Sequence, residues 1–154
     1  MEKKLFTVDE RVRWSAVDKA GIIFYGAYVR FFELAEMELF RAAGVPYAEV
    51  FDRFGIWLPR AHLQSDFRYP SRLDDELRVA AYFTRFGTSS LQINFDILHL
   101  EAGELAVSGH EVLVCTTQDT LRPQPLPEEL RALLSPYLMS VEEARAKLHS
   151  PEPR

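Results

Sequence analysis

One cysteine, Cys115, stands in a chain of 154 residues, and this excludes an internal disulfide framework. It lies in the apolar run Val112-Leu113-Val114-Cys115, the setting of a packed core thiol. Basic residues are sparse: 18 against 23 acidic ones give a net charge of −5, and no basic run is longer than Lys3-Lys4. A nucleic-acid footprint is therefore excluded. No apolar run reaches the ~18 residues of a membrane-spanning helix. The opening Met1-Glu2-Lys3-Lys4-Leu5 lacks the apolar core of a secretion signal, so the cytoplasm is the expected compartment. His62, His99, His110 and His149 form no H-x-H or H-E-x-x-H spacing, and no metal site is expected. Gly-rich phosphate loops and a G-x-S-x-G elbow are also missing, and no cofactor is expected.

What is there suits one domain with a real core: 47% of the residues are hydrophobic and 27% charged. Phe6, Val8, Val12 and Trp14 alternate with mostly polar residues and predict a strand over 5–14. From about residue 27, Tyr28, Phe31, Phe32, Ala35, Leu39 and Phe40 recur at three- and four-residue spacing. Glu33, Glu36, Glu38 and Arg41 fall largely between them. This predicts an amphipathic, aromatic-rich helix ended by Gly44. Pro46 starts a second short helix, closed by Gly55. Strands are then expected over 56–69, 76–86, 89–99 and 105–116, with turns at Gly87-Thr88 and Glu101-Ala102-Gly103-Glu104. A short helix over 127–135 and another over 140–148 follow, and the tail frays at Pro151 and Pro153. One helix segregated from a run of strands defines an α+β fold with an antiparallel sheet. Such a sheet, five strands wrapped around the long helix, has two edges that invite pairing with another copy.

The segment Trp14–Tyr28 carries the candidate chemistry. Asp18 sits in the connection between the first strand and the helix, beside a helix N-terminus with its unpaired N–H groups and partial positive charge. A carboxylate there suits reactions in which an oxygen becomes negative, such as acyl transfer. An Asp that only caps its own turn is the competing reading. Gly21 supplies either positive φ or close backbone approach. Tyr28 either lines a pocket or faces the core.

The run Asp18-Lys19-Ala20-Gly21-Ile22-Ile23-Phe24-Tyr25-Gly26-Ala27-Tyr28 resembles the signature of the 4-hydroxybenzoyl-CoA thioesterase family of hotdog-fold proteins. That family also holds the Tol-Pal-associated acyl-CoA thioesterases. Phe67-Arg68-Tyr69-Pro70-Ser71-Arg72-Leu73-Asp74-Asp75-Glu76-Leu77 and Gly87-Thr88-Ser89-Ser90-Leu91 resemble further family stretches, and the likeness spans about residues 6–135. Tyr25 matches the 4-hydroxybenzoyl-CoA branch; the Tol-Pal branch usually has His there.

The resemblance implies a hotdog domain over 1–136, with 137–154 as a C-terminal extension. It implies an acyl-CoA thioesterase that forms a homodimer or homotetramer, with sites between subunits. Asp18 would be general base or nucleophile, and the Tyr25 N–H would polarise the carbonyl. Gly21, Phe24, Tyr28, His62, Arg85 and Ser90 are the candidate substrate-binding residues, and Arg122 is a further candidate for phosphate contact. Hydrolysis of acyl-carrier-protein thioesters and non-catalytic acyl-CoA binding are the alternatives. A hotdog dehydratase would place a His with an acidic partner on the central helix, and residues 1–61 hold no His.

Overall fold

The computed structural model describes residues 2–150, so Pro151 and Pro153 lie outside them. The strands are β1 (Phe6–Arg11), β2 (Ile56–Trp57), β3 (Arg60–Phe67), β4 (Glu76–Phe86), β5 (Ser90–His99), β6 (Glu104–Val114) and β7 (Thr116–Thr117). The helices are α1 (Tyr28–Ala42), α2 (Tyr47–Phe54), α3 (Glu128–Leu134) and α4 (Val141–His149). Five strands form one antiparallel sheet in the order β1-β4-β5-β6-β3, while β2 and β7 pair apart.

The sheet curls around α1. Along the helix Phe31, Phe32, Ala35, Leu39 and Phe40 are buried, the large ones each contributing about 1.5–3 kcal/mol. Phe32 stacks on Phe95 of β5 at 4.6 Å between centroids, and Phe40 meets Phe83 of β4 edge-on at 6.3 Å. Gly109 of β6 lies directly under Phe32; a Cβ there would stand 3.0 Å from the ring and 2.7 Å from the Gln64 carbonyl oxygen. Gly44 and Gly55 end α1 and α2 at φ of +87° and +63°.

Two expectations are corrected. The first strand stops at Arg11, and Trp14 is 79% exposed in a short 3₁₀ turn, Trp14–Ala16. The single strand read over 56–69 is two, split at Pro59, which lacks the N–H a ladder needs. The outer face of the sheet is covered as well. Ala80, Tyr82 and Leu98 face outward and pack against Met139, Ala144 and Leu148 from the α4 segment. The Tyr82 hydroxyl donates to Asp96 at 2.7 Å, and Arg145 of α4 donates to the same carboxylate at 3.3 Å. Ser140 caps α4, accepting from the Glu143 N–H at 3.1 Å.

Candidate active site

Asp18 is held by a tight loop between β1 and α1. Its N–H donates to the Ile22 carbonyl at 3.0 Å, and its carbonyl accepts from Gly21 at 2.9 Å. Its Oδ1 accepts from the Ala20 N–H at 2.8 Å, which fixes the carboxylate while leaving it exposed. Gly21 has φ of +81°, a left-handed conformation that an L side chain resists.

The chain then turns into a 3₁₀ segment, Tyr25–Ala27, which runs directly into α1. Tyr25 and Gly26 begin this helical run, so their N–H groups have no intrahelical acceptor. The Tyr25 side chain is 80% exposed and contributes no core packing. Asp18, Phe24, Tyr25 and Tyr28 line one open pocket of about 510 Å³. Ile22, Ile23, Phe67, Arg68, Tyr69 and Pro70 complete it. Tyr28 and Phe67 lie 5.4 Å apart, and burial pushes the Tyr28 phenol up, keeping it protonated. Asp18 also borders a second groove with Trp14, Val17, Lys19, Gly21 and Leu73. The carboxylate thus stands in a wall between two open spaces.

The structure therefore brings Asp18, Phe24, Tyr25 and Tyr28 together and places Gly21 in the supporting turn. Within one chain it does not bring His62, Arg85 or Ser90 to this pocket. His62 is on the outer face of β3, stacked on His110 at 5.2 Å. Burial, and then His62, hold His110 below the usual imidazole range. Arg85 shares a separate groove with Lys3 and Arg131, and Ser90 closes the β4–β5 hairpin through its carbonyl, which accepts from Gly87 at 2.8 Å. Sequence reasoning missed Phe67, Arg68 and Tyr69 as pocket residues, although they lie within a stretch that carries the family likeness. Cys115 is buried, and burial pushes its thiol up. Among the described residues no cluster of His, Cys, Asp or Glu could hold a metal ion, and no helix is long and apolar enough to cross a membrane.

A buried charge cluster lies farther along α1. Glu36 is 2% exposed, and Arg60 donates to its Oε2. The Tyr47 hydroxyl accepts from the same guanidinium at 3.4 Å, and Glu111 of β6 lies 3.8 Å from Arg60 Nε. Burial lifts Glu36 to about 7, and Arg60 pulls it back. The sequence reading left Glu36 among the polar positions. Its spacing, four residues after Phe32 and four before Phe40, marks the buried stripe instead.

A five-stranded antiparallel sheet thus curls around one helix, and Asp18 and Tyr25 line one pocket at the start of that helix. Residues 12–134 match the model of the Thioesterase-like superfamily, and the chain belongs to that family. It is 25% identical over 132 residues to the acyl-CoA thioester hydrolase YbgC of Escherichia coli, covering 86% of this chain and 97% of that one. Identity to the 1,4-dihydroxy-2-naphthoyl-CoA hydrolase of Synechococcus elongatus is 22% over 121 residues, covering 78% of this chain and 88% of that one. A Staphylococcus aureus protein solved in complex with CoA superposes with a TM-score of 0.81 at 18% identity, over 92% of this chain and 90% of that one.

Proposed function

We propose that the protein hydrolyses acyl-CoA thioesters through Asp18 and the Tyr25 end of α1. One observation carries this reading: Asp18 and Tyr25, the first residue of the helical run into α1, line one pocket walled by aromatic rings. The acyl group enters among Phe24, Tyr28, Phe67 and Tyr69. The thioester oxygen lies toward the Tyr25 N–H, where the helix dipole favours negative charge. With Asp18 as base, the carboxylate takes a proton from water as the water oxygen bonds to the carbonyl carbon. The tetrahedral oxyanion collapses, the C–S bond breaks, and the thiolate leaves and is protonated. With Asp18 as nucleophile, its oxygen bonds to the carbon, the C–S bond breaks as the thiolate leaves and is protonated, and water then attacks the Asp18 carboxyl carbon of the mixed anhydride to free the acid. Single turnover in ¹⁸O-water separates the two, because only the second route leaves label in Asp18.

Thiol release from a panel of aromatic and aliphatic acyl-CoAs tests the activity. Turnover of at least one by the wild type is expected, and none across the panel overturns the reading. Tyr25→Phe keeps most of that activity, since only the backbone acts. Tyr25→Pro abolishes it, because proline has no N–H. A folded Phe variant without activity would move the role to the hydroxyl.

The assembly we propose is a homodimer joined at β3. That strand is exposed along nearly its whole length, with Leu63 at 48% and Phe67 at 55%. The opposite edge, β1, is blunted by the charged run Asp9-Glu10-Arg11.

A further inference from the structure

We infer that the groove between the end of β1 and α1 is a second ligand site, one that takes a carboxylate on an apolar body and acts on the acyl pocket through Phe24. The inference goes beyond the activity proposed above and rests on it only for the source of such an acid, which thioester hydrolysis releases.

The groove holds about 320 Å³, the size of a small-molecule site. Its floor is apolar: Ala16, Ala27 and Phe31 are buried there, and Leu34 is half-buried. β1 is the sheet edge opposite β3, so the groove stands apart from the proposed seam between copies.

The rim carries an uneven charge. Arg11, Arg13 and Arg30 border the groove with one carboxylate, Glu10. Glu10 Oε1 is already engaged, accepting from Arg13 Nε and from the Arg11 N–H, both at 3.2 Å. The Arg11 guanidinium donates to the Asp74 carbonyl at 2.7 Å. Arg30 is exposed and has no hydrogen bond or ion pair among the described residues. The terminal nitrogens of Arg13 have none either.

These two guanidinium forks offer the paired donors that a carboxylate accepts. With Glu10 balancing Arg13, Arg30 is the positive charge left over, and a monoanion neutralises it. A carboxylate is a monoanion at neutral pH, whereas a phosphate monoester carries nearly two charges. Ion pairs at an exposed rim contribute little alone, so a bare ion is held poorly and the apolar floor supplies the rest.

The groove and the acyl pocket share a backbone wall. Phe24 lines the acyl pocket. Its N–H donates to the Ala16 carbonyl at 3.1 Å, and its carbonyl accepts from the Ala27 N–H at 2.9 Å. Both partners border the groove. A ligand seated on Ala16 and Ala27 therefore bears on the two hydrogen bonds that hold Phe24. A difference in its affinity between two placements of Phe24 is a coupling between the sites.

Calorimetric titration of the whole chain with sodium octanoate tests the site. The wild type is expected to show a binding event that Arg30→Glu weakens at least tenfold and Arg30→Lys largely keeps. That event tightens about fourfold for each methylene added between hexanoate and octanoate, and acetate and inorganic phosphate give none. Arg30→Glu leaves the thermal midpoint and basal thiol release unchanged, because the side chain is exposed and lies outside the acyl pocket. Octanoate binding that survives Arg30→Glu places the acid in the acyl pocket alone and overturns the site. Octyl phosphate held at least tenfold tighter than octanoate overturns the carboxylate. Thiol release at saturating acyl-CoA reads the coupling: octanoate changes kcat in the wild type and not in Arg30→Glu, and equal responses overturn the link through Phe24. Calorimetry needs no turnover, so a chain that cleaves no acyl-CoA overturns the proposed activity while the titration still decides the site.

Discussion

Asp18→Asn leaves the fold intact and lowers turnover of the best acyl-CoA by at least ~100-fold, the low end for a lost acid–base group. That factor is about 2.7 kcal/mol of transition-state stabilisation. The substitution is nearly isosteric. Its amide oxygen still accepts from the Ala20 N–H, the bond of 2.8 Å that holds the loop. Gly21 keeps its left-handed turn, and the pocket wall of Phe24, Tyr25 and Tyr28 is untouched. Only the charge is lost, whether it served to deprotonate water or to attack the carbonyl. Thiol release at saturating substrate measures the effect, with circular dichroism and the thermal midpoint checking the fold. A folded Asn variant running near the wild-type rate removes Asp18 from the chemistry.

Arg60→Ala strikes stability. Removing one partner of a buried ion pair strands the other charge, at a cost of about 3–5 kcal/mol when both are buried. Arg60 keeps 35% of its side chain exposed, which places the expected loss near the lower end, about 3 kcal/mol. The loss depends on pH. The folded chain binds the Glu36 proton more tightly than the unfolded chain does, with a carboxyl raised from 4.5 to about 7 by burial. The Glu36 contribution to stability therefore falls as pH rises through that window. Without Arg60 the carboxyl rises further, so the variant is hurt most at pH 8 and least near pH 5.5, where Glu36 is neutral. Urea unfolding at the two pH values measures this, and equal losses at both would show that Glu36 does not carry the charge.

The parts of the fold that were legible in the sequence are those set by local periodicity and by chain punctuation. The aromatic spacing from Tyr28 to Phe40 marked α1, and Gly44, Gly55 and Pro127 marked helix ends where the structure has them. Strand boundaries were less legible where burial is two-sided. Val79, Ala80, Ala81, Tyr82 and Phe83 are all buried because α1 covers one face of β4 and the α4 segment the other, which erases the alternation. Trp14 fitted the period-two pattern, yet the ladder had already ended at Arg11. At the site, Asp18, Phe24, Tyr25 and Tyr28 are neighbours in sequence and were found together. Phe67, Arg68 and Tyr69 come from the far side of the sheet. Their meeting with Tyr28 depends on β3 lying at the sheet edge beside β6, a long-range pairing that spacing does not encode.

The helix on the outer face also sets an order of events during synthesis. Leu98 of β5 leaves the ribosome 50 residues before Leu148 of α4, which covers it. At about 5–20 residues per second that interval is roughly 3–10 s. Ala80, Tyr82 and Leu98 are translated and able to join a hydrogen-bonded sheet while their cover is still being made. For that interval the nascent chain presents a bare apolar surface. It is a surface a chaperone can hold, and it disappears once the last turns of α4 have docked.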